Sequence, residues 1–128
     1  MPNDTNPQTT PASASGTTTL DIFFRLADQW ALSTEQQITL LGAPARSTFF
    51  KWKKEGGLLS TDTEERISHL ISIYKALQIL VPDAKAADTW IHRPNKYFGG
   101  RTALGVMLEG KLTDIYSVRT YLDAQRGG

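Results

Sequence analysis

Cysteine is absent from this 128-residue chain, so no disulfide can staple it and no thiolate can hold a metal. Net charge is almost absent too: fourteen Lys and Arg stand against thirteen Asp and Glu, a formal +1. Binding to nucleic acid or to an anionic surface therefore cannot rest on the total and must come from a local patch. No apolar run approaches the roughly 20 residues of a membrane span. The first residues lack a basic region followed by an apolar one. These absences lead us to expect a soluble, cytoplasmic protein that does not use a membrane.

Signs of catalysis are also scarce. His69 and His92 are far apart and lack the spacing of a metal pair, so neither metal nor cofactor is expected. His69 reads as a packed or half-exposed histidine on a helix, and His92 as a capping group near a helix end. Glu64-Glu65 suit a helix start better than acid–base work. No G-x-S-x-G elbow occurs. Gly105 to Leu112 nearly matches a phosphate-binding loop, but Leu112 replaces the magnesium-binding hydroxyl and no strand precedes it. An enzyme is not expected.

What is present is helical periodicity without any sustained period-two alternation, which predicts an all-α fold. Residues 1–17 are mostly Pro, Asn, Thr, Ser, Ala and Gly with one charged side chain, Asp4, and read as a disordered tail. Leu20, Phe23, Phe24, Ala27 and Trp30 form a first helix capped by Thr18 or Thr19. Ser33 and Gln36 make a capping box before a short second helix carrying Ile38, Leu40 and Leu41. Gly42-Ala43-Pro44 breaks the chain, and Ala45 to Lys54 form a third helix ended by Gly56-Gly57. Thr61-Asp62-Thr63-Glu64 is a further capping box, opening a central helix from about Asp62 to Leu80. Its wide stripe of Ile67, Leu70, Ile71, Tyr74 and Leu77 suits packing on two sides.

A packing helix, a second helix, a Gly-containing turn and a third helix form the helix-turn-helix pattern over 18–60, with a turn about one residue longer than usual. Arg46, Lys51, Lys53 and Lys54 are the densest basic cluster, uninterrupted by an acid in sequence. They are candidates to hold phosphates, with Ser47 and Phe50 the candidates for base edges. Phe50 could equally pack in a dimer interface. One such helix reads few bases, so a homodimer on operator DNA is expected.

The remaining unit, 61–128, joins the central helix to a short helix over Ala84, Ala87, Trp90 and Ile91, and then to Pro94–Gly110. Gly99-Gly100 permit a tight reversal, Thr102 can cap a helix over Ala103, Leu104, Met107 and Leu108, and Gly110 can end it. Thr113 can cap a last helix reaching about Ala124, with Ile115, Val118 and Leu122 inward. Phe98-Gly99-Gly100-Arg101-Thr102-Ala103-Leu104, Met107-Leu108-Glu109-Gly110, Ile115-Tyr116-Ser117-Val118-Arg119 and Tyr121-Leu122-Asp123 resemble the toxin-binding domain of Xre/MbcA/ParS-type antitoxins. The similarity runs back through Tyr74-Lys75-Ala76-Leu77 and Glu65-Arg66-Ile67.

That resemblance implies an antitoxin whose partner is a RES-domain toxin, a class that consumes NAD or transfers its ADP-ribose part. The antitoxin itself would bind no NAD. It implies that the toxin's pocket is covered by Arg101, by Arg119, Tyr121 and Asp123, and by the end Arg126-Gly127-Gly128, while the helix-turn-helix represses the operon. For Arg119 and Asp123 the plain alternative is an i,i+4 surface ion pair; for Tyr121 it is partial burial, and for the chain end simple fraying. Two other readings stay open. One is a stand-alone regulator whose C-terminal helices only dimerise; the other is a helix-turn-helix that dimerises without touching DNA.

Overall fold

The computed structural model describes residues 18–127; the tail expected over 1–17, and Gly128, lie outside the described residues. Among the described residues the chain is all-α, with seven α-helices, two 3-10 turns and one isolated bridge between Pro94 and Thr102.

Helix α1 (Thr19–Gln29) starts on a reciprocal cap. The Thr18 hydroxyl accepts from the Asp21 N–H and the Asp21 carboxylate accepts from the Thr18 N–H, each at 3.1 Å. Ser33 and Gln36 do the same for α2 (Thr34–Leu40). Helix α3 (Arg46–Glu55) ends at Gly56, whose φ of 75° is natural for glycine alone.

The central helix α4 (Thr61–Leu80) corrects one expectation. Its N-cap is Ser60, which accepts from the Thr63 N–H at 3.1 Å, and not Thr61 within a box. Thr63 is drawn one position deeper into the helix because its buried hydroxyl donates to the Leu41 carbonyl at 3.0 Å. That bond ties the end of α2 to the start of α4 and satisfies two buried polar groups at once.

Asp83 caps α5 (Ala84–Thr89), accepting from the Ala86 N–H, and a 3-10 turn (Trp90–His92) follows. A second 3-10 turn (Lys96–Phe98) leads into the reversal, with φ of 68° at Gly99 and 87° at Gly100. Thr102 then caps α6 (Ala103–Met107), and Gly110 turns the chain at φ 102°. The last helix, α7 (Leu112–Gly127), departs from expectation at both ends. It begins at Leu112, before Thr113, where the Asp114 carboxylate accepts from the Lys111 N–H at 3.0 Å. It also runs through Gly127, beyond Ala124. Nothing in Gln125-Arg126 opposes the helix, and a cation in the last turn suits its dipole.

The core is one cluster in which α4 is held from two sides, by α1 and by α7. Ile67, Leu70, Ile73 and Leu77 of α4 are fully buried, as are Phe23 and Trp30 from α1 and Ile115 and Val118 from α7. Burying each such side chain contributes about 1.5–3 kcal/mol. The His92 Nε2–H donates to the Trp30 carbonyl at 2.7 Å and ties the loop after α5 to the end of α1.

The two turns after α1 and α2 share one hydrogen-bond pattern. Leu32 N–H reaches Ala27 O and Ala31 N–H reaches Asp28 O; Ala43 N–H reaches Ile38 O and Gly42 N–H reaches Thr39 O. Both are Schellman endings, which call for a left-handed residue at the second position. Gly42 fills that place at φ 99°, but the first turn uses Ala31 at φ 53°. A Cβ there costs about 1–2 kcal/mol, partly offset by the greater unfolded-state freedom of glycine. Ala31→Gly is therefore expected to stabilise the protein by about 0.5–1 kcal/mol, read as a raised urea midpoint at unchanged slope.

Candidate functional site

At the N-terminal end, five residues (Leu41 to Ala45) separate α2 from α3, longer than the three or four of the usual turn. Ala45 caps α3 with no side-chain hydrogen bond, so the first-turn N–H groups of α3 keep their capacity for an anion. Phe49 is fully buried, edge-on to Phe24 at 5.8 Å, and fixes the rotation of α3 about its axis. Ser47, Phe50, Lys51, Lys53 and Lys54 are then exposed. Phe50 stands 45% exposed beside Phe49.

The basic cluster does not stand free as a whole. Arg46 pairs with Glu35 of α2 and lies over the Phe50 ring at 5.5 Å. An acid absent from the local sequence is thus brought up in space. Lys53 Nζ lies 5.8 Å from the centre of the Phe24 ring. Among the described residues, Lys51 and Lys54 are in no ion pair.

At the C-terminal end, the reversal is closed by backbone bonds from Gly100 N–H to Asn95 O and from Asn95 N–H to Arg101 O. Arg101 donates to the Gly105 carbonyl at 3.0 Å and to Glu109 Oε2 at 2.7 Å, which pins it across α6 while half its side chain stays in solvent. Tyr121 is half-buried in an aromatic cluster. Its ring is stacked with Trp90 at 6.3 Å, tilted against Tyr97 at 4.3 Å and edge-on to Phe98 at 5.5 Å. Tyr97 is 66% exposed at its edge.

Arg119 is held twice. Its guanidinium donates to His69 Nδ1 of α4 at 2.9 Å and pairs with Asp123 at 3.5 Å. At about 100° per residue, Arg119, Asp123 and Arg126 share one face of α7, whereas Tyr121 lies on the opposite side. The expected contact residues therefore divide into a polar stripe along α7 and an aromatic cluster joined to the Arg101 loop. Arg126 and Gly127 are exposed in the last turn, and Gly128 lies outside the described residues. Local patterns gave no sign of Glu35 or His69 as partners. Trp90, Tyr97 and Phe98 showed their aromatic character but not their convergence on Tyr121.

An apolar groove of about 270 Å³ between α1 and α4 is lined by Ile22, Arg25, Leu26, Gln29, Ile71 and Tyr74. No helix among the described residues is long and apolar enough to cross a membrane.

Two family models divide the chain along the same lines as these two ends. Residues 11–72 match the antitoxin Xre-like helix-turn-helix domain, and residues 76–128 match the antitoxin Xre/MbcA/ParS C-terminal toxin-binding domain. The "Uncharacterized protein y4oB" of Sinorhizobium fredii (strain NBRC 101917 / NGR234) is 62% identical over 109 residues, covering 85% of this chain and 84% of that protein. This chain belongs to the Xre-type antitoxins. As an antitoxin it carries a DNA-binding helix-turn-helix and a domain for a toxin partner.

Within the antitoxin's helix-turn-helix, adjacent phenylalanines do different work. Phe49→Ala is expected to cost about 3–5 kcal/mol in denaturant unfolding because it empties a sealed core position. Phe50→Ala should cost no more than about 1 kcal/mol, and a loss as large as that at Phe49 would remove Phe50 from the recognition surface.

Proposed function

We propose that this antitoxin neutralises a RES-domain toxin, an NAD-consuming or ADP-ribosylating enzyme, by covering the toxin's active-site pocket with its C-terminal helices and chain end. It acts without catalysis of its own and represses its operon as a homodimer through α3. The division of labour is a DNA-binding unit over 18–60 and a toxin-binding unit over 61–128. The RES class follows from the family resemblance of Phe98–Gly110 and Ile115–Asp123.

The single observation that supports the plug is the end of α7. Among the described residues the last buried one is Leu122, and Asp123, Arg126 and Gly127 beyond it are exposed. A narrow helical end bearing Arg and small residues can enter a pocket mouth that a broad folded face cannot. Arg119 and Arg126 bring cations to that stripe, a residue type enriched at interface hot spots. Arg101 and Tyr121 sit apart from it and form a second contact beside the first.

For DNA, Lys51 and Lys54 of α3, which are in no ion pair among the described residues, serve as phosphate contacts. Lys53 adds its charge from beside Phe24, and Arg46 joins them once Glu35 gives it up. Ser47 and Phe50 face the bases. The double variant Lys51→Ala with Lys54→Ala is expected to weaken binding to operator and unrelated DNA alike. It should lower the salt slope of log K by about two, measured by titration at several salt concentrations; an unchanged slope would remove α3 from the phosphate backbone.

Residues 124–127 are all exposed, so a chain ending at Asp123 loses no described buried group. The truncated protein should keep its melting temperature within a few degrees and its DNA affinity, yet fail to protect cells from the adjacently encoded toxin. Full protection by the truncated chain would overturn the plug.

A further inference from the structure

His69 is the one buried histidine, 7% exposed at the α4–α7 interface, and nothing in DNA binding or in the chain-end plug uses it. Its Nδ1 accepts from Arg119 at 2.9 Å, its Nε2 lies 3.6 Å from Glu65 Oε2, and Tyr116 covers its ring at 5.2 Å. We infer that His69 is a positioning residue for toxin binding: it holds the Arg119 guanidinium at a fixed place on α7, and it does so only while its imidazole is neutral. This rests on the reading that Arg119 meets the toxin.

The chemistry follows from the two ring nitrogens. A guanidinium has donors only, so a nitrogen 2.9 Å from it must present a lone pair. In the neutral ring Nδ1 accepts from Arg119 and the proton sits on Nε2, facing Glu65. A second proton can enter only at Nδ1. There it removes the acceptor and sets two cations against each other, while the new imidazolium gains attraction to Glu65. Arg119 is then left with Asp123 alone, one turn along its own helix and at the solvent edge.

The ionisable groups facing the ring are Glu65 on its own helix and Tyr116, Arg119 and, through Arg119, Asp123 on α7. The α4 residues that meet α1 and α5 lie elsewhere. Ile71 and Tyr74 lie toward α1 and Gln78, bonded to Asp88, toward α5, roughly 140–200° around the helix from His69. The lone pair on Nδ1 is thus what fixes Arg119 across the seam between α4 and α7.

The test uses the full-length antitoxin and the toxin encoded beside it, with affinity measured by calorimetry at about pH 8. His69→Gln, whose amide oxygen can accept from Arg119, should bind like the wild type. His69→Phe, with no acceptor, should bind about tenfold more weakly, the scale of one lost hydrogen bond to a charged group.

If Arg119→Ala binds as tightly as the wild type, the toxin-contact reading falls. If Arg119→Ala weakens binding but His69→Phe binds as tightly as the wild type, the positioning role alone falls. A second arm needs no toxin: nitrogen-15 spectra of the imidazole in the free antitoxin at pH 8 should place the proton on Nε2, and a proton on Nδ1 overturns the proposal.

Discussion

Burial of α4 between α1 and α7 is the constraint from which the rest of the architecture follows. The helix shows a sealed surface to both neighbours, with Ile67, Leu70, Ile73 and Leu77 essentially out of water. An ordinary amphipathic helix buries one stripe and leaves the other face free. Here the second face is spent on the other half of the molecule, so the partners of α4 cannot slide independently. Helix α3 is oriented against α1 through Phe24 and Phe49, and α7 is laid along α4 through Ile115 and Val118.

Apolar packing sets which helices touch, but it is non-directional. Three polar contacts, each between residues distant in sequence, settle the alignment: Thr63 to Leu41, His92 to Trp30 and Arg119 to His69. Each joins a group of α4 or the α5 loop to another segment, and each satisfies an atom that burial would otherwise penalise. Geometry at both ends of the molecule is inherited from these joints. Arg101, likewise, is aimed by Gly105 and Glu109 and not by the flexible turn it follows.

Much of this was legible from residue patterns, because helix starts, stops and buried stripes are local in sequence. The caps at Thr18, Ser33 and Thr102, the reversal at Gly99-Gly100 and the inward residues of α7 all follow from spacings of three and four. Local patterns failed where a tertiary partner decided the outcome. Ser60 replaced Thr61 as the cap of α4 because Thr63 had a distant carbonyl to reach. Glu35, eleven positions upstream, entered a basic cluster that looked free of acids. Arg119 read as half of a surface ion pair with Asp123, and the pair exists, yet its closer partner is fifty residues away on another helix. The chain end read as a loose tail after Ala124 because glycines follow, although no residue before Gly127 forbids the helix.

The bond from His92 to the Trp30 carbonyl carries a consequence for how this antitoxin is lost. It fastens the segment just ahead of the Pro94 turn onto the end of the very first helix, across sixty-two positions of chain. With α4 shared as well, neither half retains a sealed interior when the other opens, so melting is cooperative across the whole. A protease that captures the opened chain at either end thereby destroys the helix-turn-helix and the toxin-binding domain in a single event.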